Sequence, residues 1–151
     1  MRVTCEAANM TDDKPKKILF ACTMNSIRSP MAAALVRRRF KGELKADSCG
    51  VYDGYLDPFM VQVMEDWGVD LAEHNPKNFD DLDLSEFDLI VVLTTEAQER
   101  ADEILGNDGP PVEFWKTPNP TDEMFGPRDL RAMAYSECRN FLDKKIANRF
   151  A

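Results

Sequence analysis

Residues 18–30 read Ile-Leu-Phe-Ala-Cys-Thr-Met-Asn-Ser-Ile-Arg-Ser-Pro and contain the most informative pattern in the sequence. Its first part, Ile18–Cys22, is a short and continuously apolar run that predicts a strand buried on both faces of a sheet. Pro30 suits the first turn of a helix, and the apolar spacing that follows predicts a helix from about Ser29 to Phe40. The residues in between therefore form a loop that joins a buried strand to the N-terminus of a helix.

The rest of the chain continues to alternate between strand and helix patterns. Apolar runs predict three more strands at 44–48, 87–93 and 112–115, and helical spacing predicts helices at about 58–67, 96–105 and 128–149. In the last helix the residues spaced for a buried face are Leu130, Met133, Cys138, Phe141, Leu142, Ile146 and Phe150. Four alternations predict one α/β domain with a four-stranded parallel sheet and helices on both faces. Ligands bind at the carboxyl ends of such strands.

The composition is that of a globular protein with one domain: 151 residues, of which 44% are hydrophobic and 30% are charged. A formal net charge of −8 argues against nucleic acid or an anionic membrane as a partner. No apolar run approaches the ~20 residues of a membrane span. Residues 1–16 are polar and lack the apolar core of a secretion signal. We therefore expect a cytoplasmic protein with a flexible N-terminal leader, residues 1–16, and a folded domain, residues 17–151.

The cysteines exclude two kinds of site. Cys5, Cys22, Cys49 and Cys138 lie far apart, form no Cys-x-x-Cys pair and have no histidine close by in the sequence. This spacing favours free thiols in a reducing compartment over disulfides or zinc ligands. We expect neither a metal ion nor an organic cofactor.

The loop after the first strand carries the predicted chemistry. Five residues separate Cys22 from Arg28, enough for a loop to wrap around a tetrahedral anion with its N–H groups turned inward at a helix N-terminus. The planar guanidinium of Arg28 suits two oxygens of a phosphate group. These surroundings favour the thiolate form of Cys22, a ready nucleophile for a phosphoryl group. A cysteine at a strand end is more often buried filler, but its place at this junction favours the catalytic role.

The segment from Cys22 to Ser29, followed by Pro-Met-Ala, resembles the signature loop of the low-molecular-weight protein tyrosine phosphatases, a family that includes related arsenate reductases. The resemblance extends from about Lys17 to the C-terminus and includes Ser48-Cys49-Gly50, His74 and a late Pro-Asn-Pro loop. It implies a low-molecular-weight phosphatase-like domain whose four parallel strands lie in the order 2-1-3-4.

The resemblance also implies a role for each matching residue. Cys22 would form the cysteinyl-phosphate, Arg28 would hold the phosphoryl oxygens and Ser29 would hydrogen-bond to the thiolate. The phosphate-binding residues would be Thr23, Met24, Asn25, Ser26, Ile27, Arg28 and Ser29. Together with Asn25, the loop-supporting residues Ser48 and His74 would keep the loop in shape. His74, the only histidine, is therefore expected to be structural and not a catalytic base.

Asn119 stands where the family has its general acid, an aspartate. An amide cannot protonate the leaving oxygen, so turnover is expected to fall by ~10²–10⁴ unless Asp57, Asp122 or Glu123 replaces the missing acid. Ile27 takes the place of a second cysteine that often protects the nucleophile in a disulfide.

The substrate entrance also departs from the family. Thr121-Asp122 replaces the aromatic pair that often lines it, so the resemblance leaves the preference for phosphotyrosine open. Tyr52, Tyr55 or Phe125 could supply an aromatic wall instead, although we expect these side chains to cover edges of the core.

Three functions remain open. The first is a phosphomonoesterase that acts on a phosphorylated protein or a small aryl phosphate. The second is an arsenate reductase that uses one cysteine and a small-molecule thiol, because Leu93–Glu96 lacks the relay cysteines of the thioredoxin-linked enzymes. The third is a binder of phosphorylated ligands with little turnover. All three would hold a phosphate or arsenate oxyanion in the same loop.

Overall fold

Four parallel strands form one sheet at the centre of the fold; the computed structural model describes residues 15–123 and 128–151. The strands are β1 (Lys17–Cys22), β2 (Lys45–Gly50), β3 (Leu89–Val92) and β4 (Val112–Phe114). Their order is β2-β1-β3-β4, which confirms the predicted α/β fold with a parallel sheet of order 2-1-3-4. The proposed leader, residues 1–16, lies outside the described residues except for its last two.

Four helices pack on the two faces of this sheet: α1 (Arg28–Phe40), α2 (Pro58–Glu65), α3 (Thr95–Leu105) and α4 (Arg128–Phe150). Helices α1, α2 and α4 share one apolar core with the sheet, and α3 packs into a second core on the opposite face. Side chains of β1 alternate between the two cores, as successive strand residues must, and the side chain of Cys22 faces the core of α1 and α4. None of the helices in the described ranges carries an apolar stretch long enough to cross a bilayer.

The strand boundaries differ from the prediction by one or two residues, most clearly at the end of β2 and the start of β3. β2 continues two residues further, to Gly50, because its last residue is still paired with Cys22 of β1. β3 begins at Leu89 and not at Phe87, because the N–H of Phe87 closes a tight turn on the carbonyl oxygen of Leu84 at 3.2 Å. Both differences leave the carboxyl ends of β1 and β3 at the same edge of the sheet.

The buried face of α4 starts later than the sequence suggested. Leu130 is 48% exposed and Met133 is 51% exposed, so the assignment of these two residues to the core was wrong. The buried hydrophobic residues in the described part of α4 are Tyr135, Cys138, Leu142 and Ile146. Since a helix turns once in ~3.6 residues, Met133 lies on the far side of α4 from this stripe.

Candidate active site

The backbone of the loop that follows β1 is held with its carbonyl groups turned outward. Three consecutive loop carbonyl oxygens accept hydrogen bonds, at 2.9–3.1 Å, from amides of the segment that follows β2: Cys22 from Val51, Thr23 from Tyr52, and Met24 from Gly54. In a trans peptide the N–H points away from the carbonyl of the same unit. The next N–H groups therefore point to the inner side of the loop, where an anion would accept them.

Asn25 fixes the turn in the middle of the loop. It is fully buried and has a φ of 55°, a left-handed conformation that asparagine adopts more readily than most residues. Its carbonyl oxygen lies 2.8 Å from Nε2 of His74, which donates to it, and its Oδ1 accepts the N–H of Lys77 at 2.9 Å. Burial lowers the pKa of His74, so the imidazole is held in its neutral form. The structure thus places His74 against the backbone of the loop, at the carbonyl group of Asn25.

A buried chain of polar groups connects Asn25 to the sulfur of Cys22. The Nδ2 of Asn25 donates to the hydroxyl oxygens of Ser29 at 2.8 Å and Ser48 at 3.0 Å. The Ser29 oxygen also lies 3.0 Å from the Cys22 sulfur and 3.1 Å from the carbonyl oxygen of Cys49. Ser29 has one hydroxyl proton, so it can donate either to that carbonyl or to a Cys22 thiolate. When the Cys22 thiol ionises, rotation of the Ser29 hydroxyl group can therefore give the thiolate a hydrogen bond.

Arg28 and the start of α1 supply the positive end of the site. Ile27 precedes the helix with an apolar side chain that cannot accept a hydrogen bond, and the first turn contains no acidic residue. The N-terminal N–H groups and the helix dipole are thus available to an anion. The half-buried Arg28 donates from Nη1 to the carbonyl oxygen of Thr117 at 3.2 Å, which leaves most of its N–H donors for a ligand.

These groups surround a cavity of about 780 Å³. Cys22 and Arg28 line it, together with loop residues Thr23, Met24, Ser26 and Ile27. Its mouth carries three exposed apolar side chains, Met24, Tyr55 and Phe114. The site therefore combines a polar base, suited to an oxyanion, with an apolar rim.

The expectation that Tyr52 and Tyr55 cover core edges was wrong. Tyr52 is 61% exposed and Tyr55 is 89% exposed, and Tyr55 lines the cavity. The segment that follows β2 is attached to the loop by its backbone amides, so these side chains project into solvent. Phe125, the third residue considered for an aromatic wall, lies outside the described residues.

Asn119 lines the cavity at the position considered for the general acid, and its Oδ1 is engaged locally. It accepts from the backbone N–H of Thr121 at 3.1 Å and from the Thr121 hydroxyl at 2.8 Å. Asp57 also lines the cavity, and both of its carboxylate oxygens accept hydrogen bonds within the protein. The side chains of Asp122 and Glu123 lie outside the described part of the structure.

The sequence comparison identifies the family to which this loop belongs. The profile of the family described as low molecular weight phosphotyrosine protein phosphatase matches residues 17–117, most of the chain. The chain belongs to this family. The matched range contains the low-molecular-weight phosphatase loop, β1 to β4 and the residues that support the loop from behind.

Relatives of this low-molecular-weight phosphatase family member carry two kinds of name. The chain is 27% identical to a glutaredoxin arsenate reductase of Synechocystis over 52% of its own length and 60% of that protein. It is 39% identical to a probable low molecular weight protein-tyrosine-phosphatase of Ralstonia nicotianae over 52% of its own length and 55% of that protein. These alignments thus span little more than half of each relative.

A solved arsenate reductase from Archaeoglobus fulgidus shares the fold over most of its length. It is 28% identical to this family member, with a TM-score of 0.65, and the match covers 86% of the chain and 98% of that protein.

The other cysteines of this family member are placed differently from Cys22. Cys49 faces the second core, on the opposite side of the sheet, and burial raises its pKa. Cys138 shares the core of Cys22, and burial raises its pKa to about 12. Both thiols are therefore protonated at neutral pH. In the described residues, no group of three or more His, Cys, Asp or Glu side chains is arranged to hold a metal ion.

Part of the cavity wall was not predicted from the sequence. Thr94, Glu96 and Lys116 line the cavity beside the low-molecular-weight phosphatase loop and were not considered as site residues. Thr94 and Glu96 follow β3, the neighbour of β1, so the general rule for the carboxyl ends of parallel strands could have placed them there.

Proposed function

We propose that this chain is a cysteine-dependent phosphomonoesterase that forms a cysteinyl-phosphate on Cys22. One observation carries the proposal: the Cys22 sulfur lies in a cavity inside a loop whose carbonyl groups are bonded outward, with Arg28 on the same cavity wall. An uncharged donor array and one guanidinium favour a dianion even though the chain is acidic overall. A free nucleophilic thiol of this kind suits a reducing compartment, such as the cytoplasm.

The reaction follows from the placement of the sulfur. The Cys22 thiolate attacks the phosphorus atom, an S–P bond forms, and the bond to the leaving oxygen breaks as that oxygen takes up a proton. A water molecule then attacks the phosphorus, gives up a proton, and breaks the S–P bond, so that phosphate and the thiolate are released. The Ser29 hydroxyl, 3.0 Å from the sulfur, supports the thiolate in both steps. Inward N–H groups and Arg28 stabilise the charge on the transferred group.

The apolar rim favours an aryl group on the leaving side of the substrate. Tyr55 and Phe114 offer ring surfaces, and Met24 offers a flexible apolar contact at the mouth of the cavity. A small aryl phosphate or a phosphorylated tyrosine in a protein fits this arrangement.

The test is release of phosphate from p-nitrophenyl phosphate by the wild-type chain and by Cys22→Ser. We expect the substitution to abolish release while phosphate binding, measured by calorimetry, is retained. Cys49→Ala is the matched control, because this thiol lies on the other face of the sheet, and it should retain release. Equal release by Cys22→Ser and the wild-type chain would remove the proposal.

A second candidate, favoured by Asn119 and by the names of the relatives, is reduction of arsenate. The Cys22 thiolate would bond to As(V) with loss of water, and a small-molecule thiol would then attack the Cys22 sulfur. Arsenite would leave with the two electrons, and a second small thiol would reduce the mixed disulfide. The protonated state of the buried Cys138 thiol favours an external thiol over an internal relay. Arsenate that causes no oxidation of a glutathione-type thiol would dismiss this candidate.

A further inference from the structure

We propose that Glu96 is the general acid and base of this active site, in place of the family's aspartate at the position of Asn119. The inference rests on the proposed phosphomonoesterase function and concerns the proton that its two chemical steps must move. The described carboxylates of the cavity differ in whether they can accept and release a proton without breaking hydrogen bonds that hold the fold.

Two described carboxylate side chains line the cavity, Asp57 and Glu96. Asp57 already has a structural role. Its Oδ1 caps α2 by accepting the N–H groups of Phe59 at 2.9 Å and Met60 at 3.2 Å, and its Oδ2 accepts the hydroxyl of Tyr135 at 2.9 Å. Both oxygens of Asp57 are thus engaged in capping α2 and in binding Tyr135, and turning the carboxylate toward a substrate would break these bonds.

Glu96 lines the same cavity as the nucleophile and does not have a structural role of this kind. Its described hydrogen-bond contact is a long one, 3.5 Å from its Oε1 to the hydroxyl of Thr23, the residue that directly follows Cys22. The side chain is exposed, so it can turn toward a substrate without breaking buried bonds.

The backbone that carries Glu96 is fixed even though its side chain is free. Thr94 caps α3 by accepting the N–H of Ala97 at 3.1 Å, and it also accepts the hydroxyl of Thr23 at 3.2 Å. The first turn of α3, with Glu96 in it, is thereby joined to the phosphate loop. The Glu96 carboxyl is thereby held at the wall of the cavity that Cys22 also lines.

The proton balance is simple. In the first step the Glu96 carboxyl gives its proton to the leaving oxygen as the P–O bond breaks and the Cys22 S–P bond forms. In the second step the Glu96 carboxylate takes a proton from water as the water oxygen bonds to phosphorus and Cys22 leaves as thiolate.

The experiment compares Glu96→Gln with Glu99→Gln, an exposed residue of the same helix outside the cavity wall. Both are assayed on phenyl phosphate, a poor leaving group, and on difluoromethylumbelliferyl phosphate, a good one. Because general acid–base help is worth ~10²–10⁴, we expect Glu96→Gln to lower kcat/KM for phenyl phosphate about 100-fold. The loss should be about tenfold or less for the good leaving group. Glu99→Gln should match the wild-type chain on both.

Two further readouts separate a catalytic role from a structural one. The alkaline limb of the pH profile of kcat/KM on phenyl phosphate should disappear in Glu96→Gln, and Asn119→Asp added to Glu96→Gln should restore most of the rate. Equal losses on both substrates, an unchanged pH profile, or faster turnover by Glu96→Gln would overturn the assignment. A wild-type chain that releases no phosphate from either ester would refute the proposed function instead.

Discussion

Removal of the Asn25 side chain should both destabilise the fold and disorder the anion site. The side chain is fully buried and makes three hydrogen bonds, of 2.8 Å to Ser29, 3.0 Å to Ser48 and 2.9 Å from the N–H of Lys77. Asn25→Ala and Asn25→Gly both delete these bonds, but only alanine retains a Cβ at a φ of 55°.

The magnitude follows from these contacts. The backbone N–H of Lys77 loses its acceptor, which costs ~1–3 kcal/mol. Loss of the bonds to the Ser29 and Ser48 hydroxyl groups adds ~1 kcal/mol. We therefore expect the free energy of unfolding to fall by about 2–4 kcal/mol for Asn25→Gly. Relative to glycine, alanine costs ~1–2 kcal/mol because its Cβ is strained in the left-handed conformation. Glycine in turn costs ~0.5–1 kcal/mol more than alanine in backbone entropy on folding. Asn25→Ala should accordingly be less stable than Asn25→Gly by roughly 0.5–1 kcal/mol.

The assay is urea unfolding without phosphate, extrapolated to water, followed by calorimetric titration with phosphate. Asn148→Ala, an exposed position on α4, is the matched control and should change stability by less than ~0.5 kcal/mol. A loss of less than ~1 kcal/mol in both Asn25 variants, or an alanine variant more stable than the glycine variant, would contradict these roles of the Asn25 side chain and backbone.

Three other changes test the surroundings of the loop. A Cβ at Gly50 would lie 2.7 Å from the backbone N of Asn25. Gly50→Ala should therefore weaken phosphate affinity in calorimetry and destabilise the fold by ~1–3 kcal/mol. Unchanged affinity would count against the tight packing behind the loop. The pKa of His74 is lowered by burial, so the unfolded chain binds its proton first as the pH falls. Unfolding free energy should therefore decline below about pH 6.5, and His74→Gln should have a flatter urea-unfolding profile between about pH 7 and 5.5; parallel profiles would contradict this. Tyr135→Phe removes the 2.9 Å bond to Asp57 and should cost ~1 kcal/mol in the same assay; a more stable variant would be inconsistent with a capping role for that bond.

The strand, the loop and the sheet order were predictable because they depend on local pattern and on a specific motif. A continuous apolar run ending at Cys22 has few alternatives to a buried strand at the middle of a sheet. The position of Asn119 was likewise read from the motif.

Features that arise from distant packing were not predictable. The exposure of Tyr55 depends on amides that bond to loop carbonyls some thirty residues earlier in the chain. The position of Glu96 beside Thr23 depends on the pairing of β1 with β3. Met133 is apolar and falls within the helical pattern, yet it lies on the exposed face of α4, because the buried stripe begins only at Tyr135.

Attack by the Cys22 sulfur predicts that Cys22 carries the phosphoryl group during turnover. The wild-type chain, mixed with a radiolabelled aryl phosphate, quenched in acid within milliseconds and cleaved into peptides, should carry the label on the peptide that contains Cys22. The label should be absent from the Cys22→Ser variant treated in the same way. Turnover with the label on another residue, or with no labelled peptide at any quench time, would contradict attack by the Cys22 sulfur on the phosphoryl group.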